Sequence, residues 1–109
     1  MRTYLDHPEI EQAKARGLEV HVFTFGCGQQ HQGRCQVILA KDWFEARNLM
    51  FSAYGKEWSF QYGENEWRSV LNAEACGEMF SVEKPLENLM VQRTETQWKT
   101  VPFVEVDHE

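Results

Sequence analysis

The chain has no apolar run approaching the ~18 residues that a membrane-spanning helix needs, and no charged-then-apolar leader opens it. It has no basic stripe: Lys56, Arg68, Lys84, Arg93 and Lys99 are scattered singly through the second half. Nucleic-acid binders draw much of their affinity from counterions released by clustered cations, so direct nucleic-acid binding is not expected. Cysteine is scarce and odd in number, three in 109 residues, which matches no disulfide framework. Reduced thiols in a cytoplasm are the expectation. No internal repeat or low-complexity linker divides the sequence, so residues 1–109 are predicted to form one domain with one core.

What is present is 42% apolar and 13% aromatic, enough to fold without metal or disulfide at this length. Asp6-His7-Pro8-Glu9 opens a short helix, with Asp6 as cap, Pro8 in the first turn and Gly17 as the stop. Leu18 to Phe25 alternates, with Leu18, Val20 and Val22 facing inward. Cys35 to Ala40 reads as a second strand, antiparallel to the first because the connection is short. Asp42 with Glu45 makes a capping box, Ala46, Leu49, Met50 and Ala53 form an apolar stripe, and Gly55 ends the helix. Trp58, Phe60 and Tyr62 alternate on one face of a strand that covers this helix. Trp67, Val70 and Leu71 are the apolar contacts of a further helix beginning at Gly63 and ending near Gly77. Leu89–Thr94 and Gln97–Val101 form two strands around Glu95-Thr96, and Pro102 confines the last to a sheet edge. Phe103, Val104 and Val106 are too apolar for a free tail. The fold class is α+β: a small antiparallel sheet, a hairpin plus further strands, packed against one main helix with short peripheral helices.

The stretch FGCGQQHQGRC, residues 25–35, looks most like chemistry. Zinc sites are commonly built from closely spaced cysteine knuckles, and Cys27-x3-His31-x3-Cys35 departs from that spacing, with a fourth ligand to be found at Cys76, His21 or another residue. Gly26, Gly28 and Gly33 free the backbone to expose successive N–H groups as an anion nest. Gly28, Gln29, Gln30, His31 and Arg34 are then candidate ligand-binding residues for a phosphate, carboxylate or nucleotide. The competing reading is a wide hairpin loop in which Gln29 caps backbone groups, and it is preferred. No metal and no cofactor is expected.

Catalysis has little support. Ser52, Ser59, Ser69 and Ser81 lack a nucleophile elbow, Cys27 with His31 fixes no attack geometry, and Glu64 with Glu66 suits a helix dipole. His21 reads as a surface histidine. The chain is expected not to be an enzyme.

Charge is the other asymmetry. Residues 1–54 carry six basic and six acidic side chains, whereas residues 55–109 carry five and eleven, so the net charge of −6 lies in the second half. An acidic face suits a basic protein partner. Tryptophan is enriched at interface hot spots, and Trp43 at a helix start and Trp98 on an edge strand are the candidates for exposed contacts. With Glu83, Glu87 and Glu95 they make the candidate partner-binding set. A free edge near residues 89–106 also allows a homodimer by strand pairing.

The combination Phe23-Thr24-Phe25-Gly26-x-Gly28-Gln29, Glu45-Ala46-Arg47, Met50-Phe51, Tyr54-Gly55 and Trp58-Ser59-Phe60-Gln61-Tyr62 resembles a group of small proteins carried by bacteriophages and prophages. The similarity covers about residues 20–67. It implies an accessory protein working in the cytoplasm of a host bacterium by binding a host protein. By analogy of size, charge and origin it points to an inhibitor of host defence of the anti-CRISPR kind. The alternative is a small-ligand, anion or metal-binding protein using the 26–35 loop.

Overall fold

A computed structural model describes residues 4–75 and 84–103. After a 3-10 turn at Tyr4–Asp6 come α1 (Pro8–Ala15), β1 (Glu19–Thr24), β2 (Arg34–Ala40), α2 (Trp43–Tyr54), β3 (Phe60–Gly63) and α3 (Glu64–Ala75). The chain closes with β4 (Lys84–Pro85), β5 (Asn88–Thr94) and β6 (Gln97–Pro102). The fold is α+β, around one six-stranded sheet of order β3-β1-β2-β5-β6, with the two-residue β4 beside β2. No helix among the described residues is long and apolar enough to cross a membrane.

The sheet is mixed, which corrects the expectation of an antiparallel one. β1 pairs antiparallel with β2 and β3, and β5 with β6, but β2 runs parallel to β5 through Ile38↔Met90 and Leu39↔Val91. The physical reason is the connection: the described part of residues 41–87 carries α2, β3, α3 and β4, ample for a crossover. Pro102 lies in the edge strand β6, where its missing N–H leaves no ladder bond unmade.

Both faces of the sheet are covered, not one. Val20, Val22, Val37, Leu39, Leu89 and Val91 pack on one side with Ile10 and Ala13 of α1 and Trp67 of α3. Phe23, Phe25, Ile38 and Ala40 pack on the other with Ala46 and Met50 of α2 and with Trp58. Covering both faces explains why Cys35–Ala40 reads as a continuous apolar run, and each large aliphatic or aromatic side chain so buried contributes about 1.5–3 kcal/mol. α1 is therefore a core element despite its few apolar residues: both Ile10 and Ala13 are fully buried.

Local signals hold with adjustments. Asp42 Oδ1 accepts from the Glu45 amide at 2.8 Å, and Glu45 Oε1 accepts from the Lys41 amide at 3.1 Å, one residue earlier than an ideal capping box. Gly55, at φ +62°, closes α2. α1 is capped by His7, whose Nδ1 accepts from the Glu9 amide, and not by Asp6; Pro8 takes the first helical position, which puts the cap at the residue before it. Phe103 packs beside the first cluster and donates its amide to the Glu87 carbonyl. Gly77, Val104 and Val106 lie outside the described residues, as does the side chain of Leu71.

β3 begins later than its sequence pattern indicates. Trp58 precedes the strand and turns under α2, whereas Phe60 and Tyr62 lie opposite Thr24 and Val22 on the other sheet face. Tyr62 packs against the first cluster, but Phe60, at the sheet edge, is 65% exposed.

Candidate functional site

The loop between β1 and β2 is held by its own side chains. Gln29 Oε1 accepts from the Gly26 amide and the Ser59 hydroxyl, and Gln32 Oε1 from the Gly28 amide at 2.9 Å. The amides of Gln29, Gln32, Gly33 and Arg34 donate to carbonyls within the hairpin, and that of Gln30 to Glu57. Positive φ at Gly28 and Gly33 makes this folding possible. An anion nest needs N–H groups left over, and here most are taken.

Arg34 is turned away as well, donating to the Pro85 carbonyl at 2.6 Å. The His31 ring stacks edge-on against Phe25 at 5.2 Å and Tyr54 at 5.4 Å, on the α2 side of the sheet. Cys35 is buried in the cluster on the opposite side, and Cys27 is exposed. The sheet thus separates His31 from Cys35. Among the described residues no group of three His, Cys, Asp or Glu is placed to hold a metal ion.

Of the acidic candidates, the two described, Glu87 and Glu95, do not share one patch. Glu87 and Glu95 are both exposed but flank β5 at its two ends, roughly 25 Å apart at the rise of an extended strand. Glu95 pairs with Lys41 at 3.0 Å. Trp98 is half-buried against the α2-side cluster. Glu83 lies outside the described residues.

Trp43 does reach solvent, at 39% exposure, and Phe44 and Phe51, which by sequence widen the apolar stripe of α2 or lie along its edge, reach it too. The inner side of α2 is filled by Ala46 and Met50; the outer side carries Phe44 at 72% and Phe51 at 44% exposure. Between them, one helical turn from each, the Arg47 guanidinium lies 5.6 Å from the Phe51 ring and 5.1 Å from the Trp58 ring. Arg47 also donates to Gln61 Oε1, and Gln61 Nε2 donates to the Trp43 carbonyl at 3.0 Å, so the edge strand braces the helix face. The signal was legible as Phe44 and Phe51 at i and i+7, outside the stripe that fills the core.

Trp43 also walls an open groove of about 480 Å³, lined by Lys14, Glu19, His21, Gly63, Glu64 and Glu66 among others. His21 is 3% exposed, a correction to its reading as a surface residue: β1 is covered on both faces. Its ring lies edge-on to Trp43 at 5.7 Å. Nε2 is 3.2 Å from Glu19 Oε1 but outside hydrogen-bond geometry, and neither ring nitrogen has a well-aligned hydrogen-bond partner. Burial pushes the imidazole pKa below its ordinary 6.5, against the raising influence of Glu19 and Asp42.

On the opposite wall Glu64 accepts from Lys14 Nζ and Arg68 Nε, both at 3.0 Å. Burial raises this carboxyl, and the two cations more than offset that, leaving it below its ordinary value. Glu66 Oε1 accepts from the Gly63 amide at 2.9 Å and so caps α3.

Comparison with protein families, with curated proteins and with solved structures returns no match. The geometry of this surface therefore carries the functional argument.

Proposed function

We propose that the chain is a non-catalytic protein-binding module that attaches to a basic surface of a partner protein through the outer face of α2. One observation carries this reading: Trp43, Phe44 and Phe51 stand in solvent around Arg47 on a helix whose other side is locked into the core. Aromatic and arginine side chains dominate interface hot spots, and covering a ring such as Phe44 is worth about 2–3 kcal/mol. Glu19 and Asp42 act on the His21 ring that lies against Trp43, so the Trp43 end of the stripe has an acidic border, and the chain as a whole carries −6. A partner of opposite sign is drawn to such a rim and held at its aromatic centre.

The resemblance of residues 20–67 to bacteriophage proteins supports a host protein as that partner, met in the host cytoplasm. Interference with a host-defence component, as by anti-CRISPR proteins, is the corresponding role. Of the partner-binding candidates read from the sequence, Trp43 belongs to this face, Trp98, Glu87 and Glu95 lie on or beside β5 and β6, and Glu83 is outside the described residues. Ligand binding by the 26–35 loop is not favoured, because the loop consumes its own donors.

The test is site-specific photocrosslinking in host cells, with a benzophenone side chain at position 44 or 51 and a control at Gln12, exposed on α1 across the sheet. The expected result is one basic protein joined at 44 and 51 and absent at 12, and its affinity capture by the unlabelled chain lost in Phe44→Ala/Phe51→Ala. Crosslinking at 12 alone, or capture indifferent to the double substitution, overturns the reading.

A further inference from the structure

We propose that the groove between Trp43, His21 and the start of α3 is a receptor for an organic cation, the guanidinium or ammonium of an arginine or lysine side chain. The inference rests on the protein-binding reading and gives the chemistry of one contact within it.

The groove has a side chain that needs a partner. His21 is almost wholly buried, lines the groove and has no well-aligned hydrogen-bond partner on either ring nitrogen, and a buried polar group left in that state is costly. The neutral ring that burial enforces carries one lone pair, which a cationic donor engages by uncovering the shielded ring nitrogen.

The surrounding charges decide the sign of the ligand. Glu19 on β1 and Asp42 at the α2 cap act on His21, and Lys14 from α1 with Glu64 and Glu66 from α3 line the groove alongside it. A helix N-terminus attracts anions by default, but this one is already answered, since Glu66 caps it and Glu64 sits in its first turn. The Lys14 ammonium is engaged by Glu64. That leaves the Glu19 carboxylate, 58% exposed and facing only a neutral imidazole. An incoming cation neutralises Glu19, places its N–H groups toward His21 and lies beside the Trp43 ring, where aromatic and cation attract. A volume of about 480 Å³ admits a side chain of that length.

Two-dimensional NMR of the folded chain tests this, following the Trp43 indole and His21 ring signals during titration with N-acetyl-arginine methylamide, its lysine counterpart, or inorganic phosphate. Saturable shifts with the cations, none with phosphate, and roughly fivefold weaker binding in Glu19→Gln are expected. Glu19 is exposed, so the variant folds. Shifts driven by phosphate, no shift with either cation, or a response that Glu19→Gln leaves intact each overturn the inference. The two readings fail separately. Crosslinking at 44 and 51 with a silent groove removes this inference alone. Arginine binding without crosslinking at 44 and 51 removes the docking face and leaves a cation site.

Discussion

The Tyr54 hydroxyl donates to the side-chain oxygen of Gln36 at 2.7 Å, joining the last turn of α2 to the centre of the sheet. Gln36 is 2% exposed, and its amide nitrogen donates in turn to the carbonyls of Asn88 at 2.8 Å and Val37 at 2.9 Å. One polar side chain thus ties α2, β2 and the start of β5 inside an apolar layer. Burial raises the Tyr54 pKa, so the phenol remains a donor at neutral pH. Tyr54→Phe keeps the ring contacts and leaves a buried acceptor unmatched, a loss of about 1–3 kcal/mol. Urea unfolding with an unchanged m-value and a lower midpoint is the expected result; an unchanged midpoint contradicts it.

The loop gives a second expectation. A Cβ at Gly26 meets the Ser59 hydroxyl oxygen at 2.5 Å, and that hydroxyl is bonded to Gln29. Gly26→Ala should destabilise by about 0.5–1.5 kcal/mol, since the Ser59 hydroxyl must swing aside and give up its bond to Gln29. Ser59→Ala removes the obstructing atom, so the double variant should be more stable than the sum of the single losses allows. Strict additivity in the cycle counts against the contact.

Stability should depend on pH through His21. Its folded pKa lies below 6.5, so between those two values the unfolded chain binds the proton that the folded one refuses. Stability is therefore full above pH 6.5 and declines as pH falls toward the folded pKa. Glu64 acts in a lower window: its folded pKa is depressed, so its contribution is present above 4.5 and lost as pH falls through the folded value. Urea midpoints from pH 8 to 5 should fall in the wild type and flatten in His21→Gln. An NMR titration midpoint for His21 above 6.5 reverses the sign and refutes the account.

Thiol chemistry checks the metal question. Under reducing conditions N-ethylmaleimide should modify Cys27 in the native chain and Cys35 only after denaturant is added, because Cys27 is exposed and Cys35 is at 0%. Zinc should not slow the labelling of Cys27. Protection of both thiols by zinc revives Cys27, His31 and Cys35 as a ligand set.

The aromatic face should be dispensable for folding. Phe44→Ala is expected to shift stability by no more than about 0.5 kcal/mol, as exposed substitutions do, since the ring is 72% exposed. A loss of 2 kcal/mol or more, on the order of a core truncation, assigns the ring to the interior.

Sequence patterns close at hand were legible: the Asp42 cap, the Ala46–Met50 stripe, Gly55, and both hairpins follow from neighbours a few residues apart. The rest depends on distant pairing. Nothing near His21 signals that α2 will cover the second face of β1, and a polar residue in an alternating strand reads as outward. Trp58, Phe60 and Tyr62 alternate correctly, yet the strand begins after Trp58, which sends it to the other side. Trp43 stood out because it falls beside the apolar stripe of its own helix. The groove it borders is assembled from residues 14, 19–21, 43 and 63–66, and no local window contains it.

The parallel contact between β2 and β5 sets an order of events during synthesis. As the chain leaves the ribosome, β1, β2, α2 and β3 can assemble from neighbouring sequence, but the open side of β2 must wait for residues 88–94. Until they emerge, β2 keeps one edge with unpaired backbone groups, the kind of edge that can pair with another chain. Closure then requires contacts about fifty residues apart, which slows the final step relative to the hairpins. A nascent chain stalled before residue 88 is accordingly the form most exposed to misassembly.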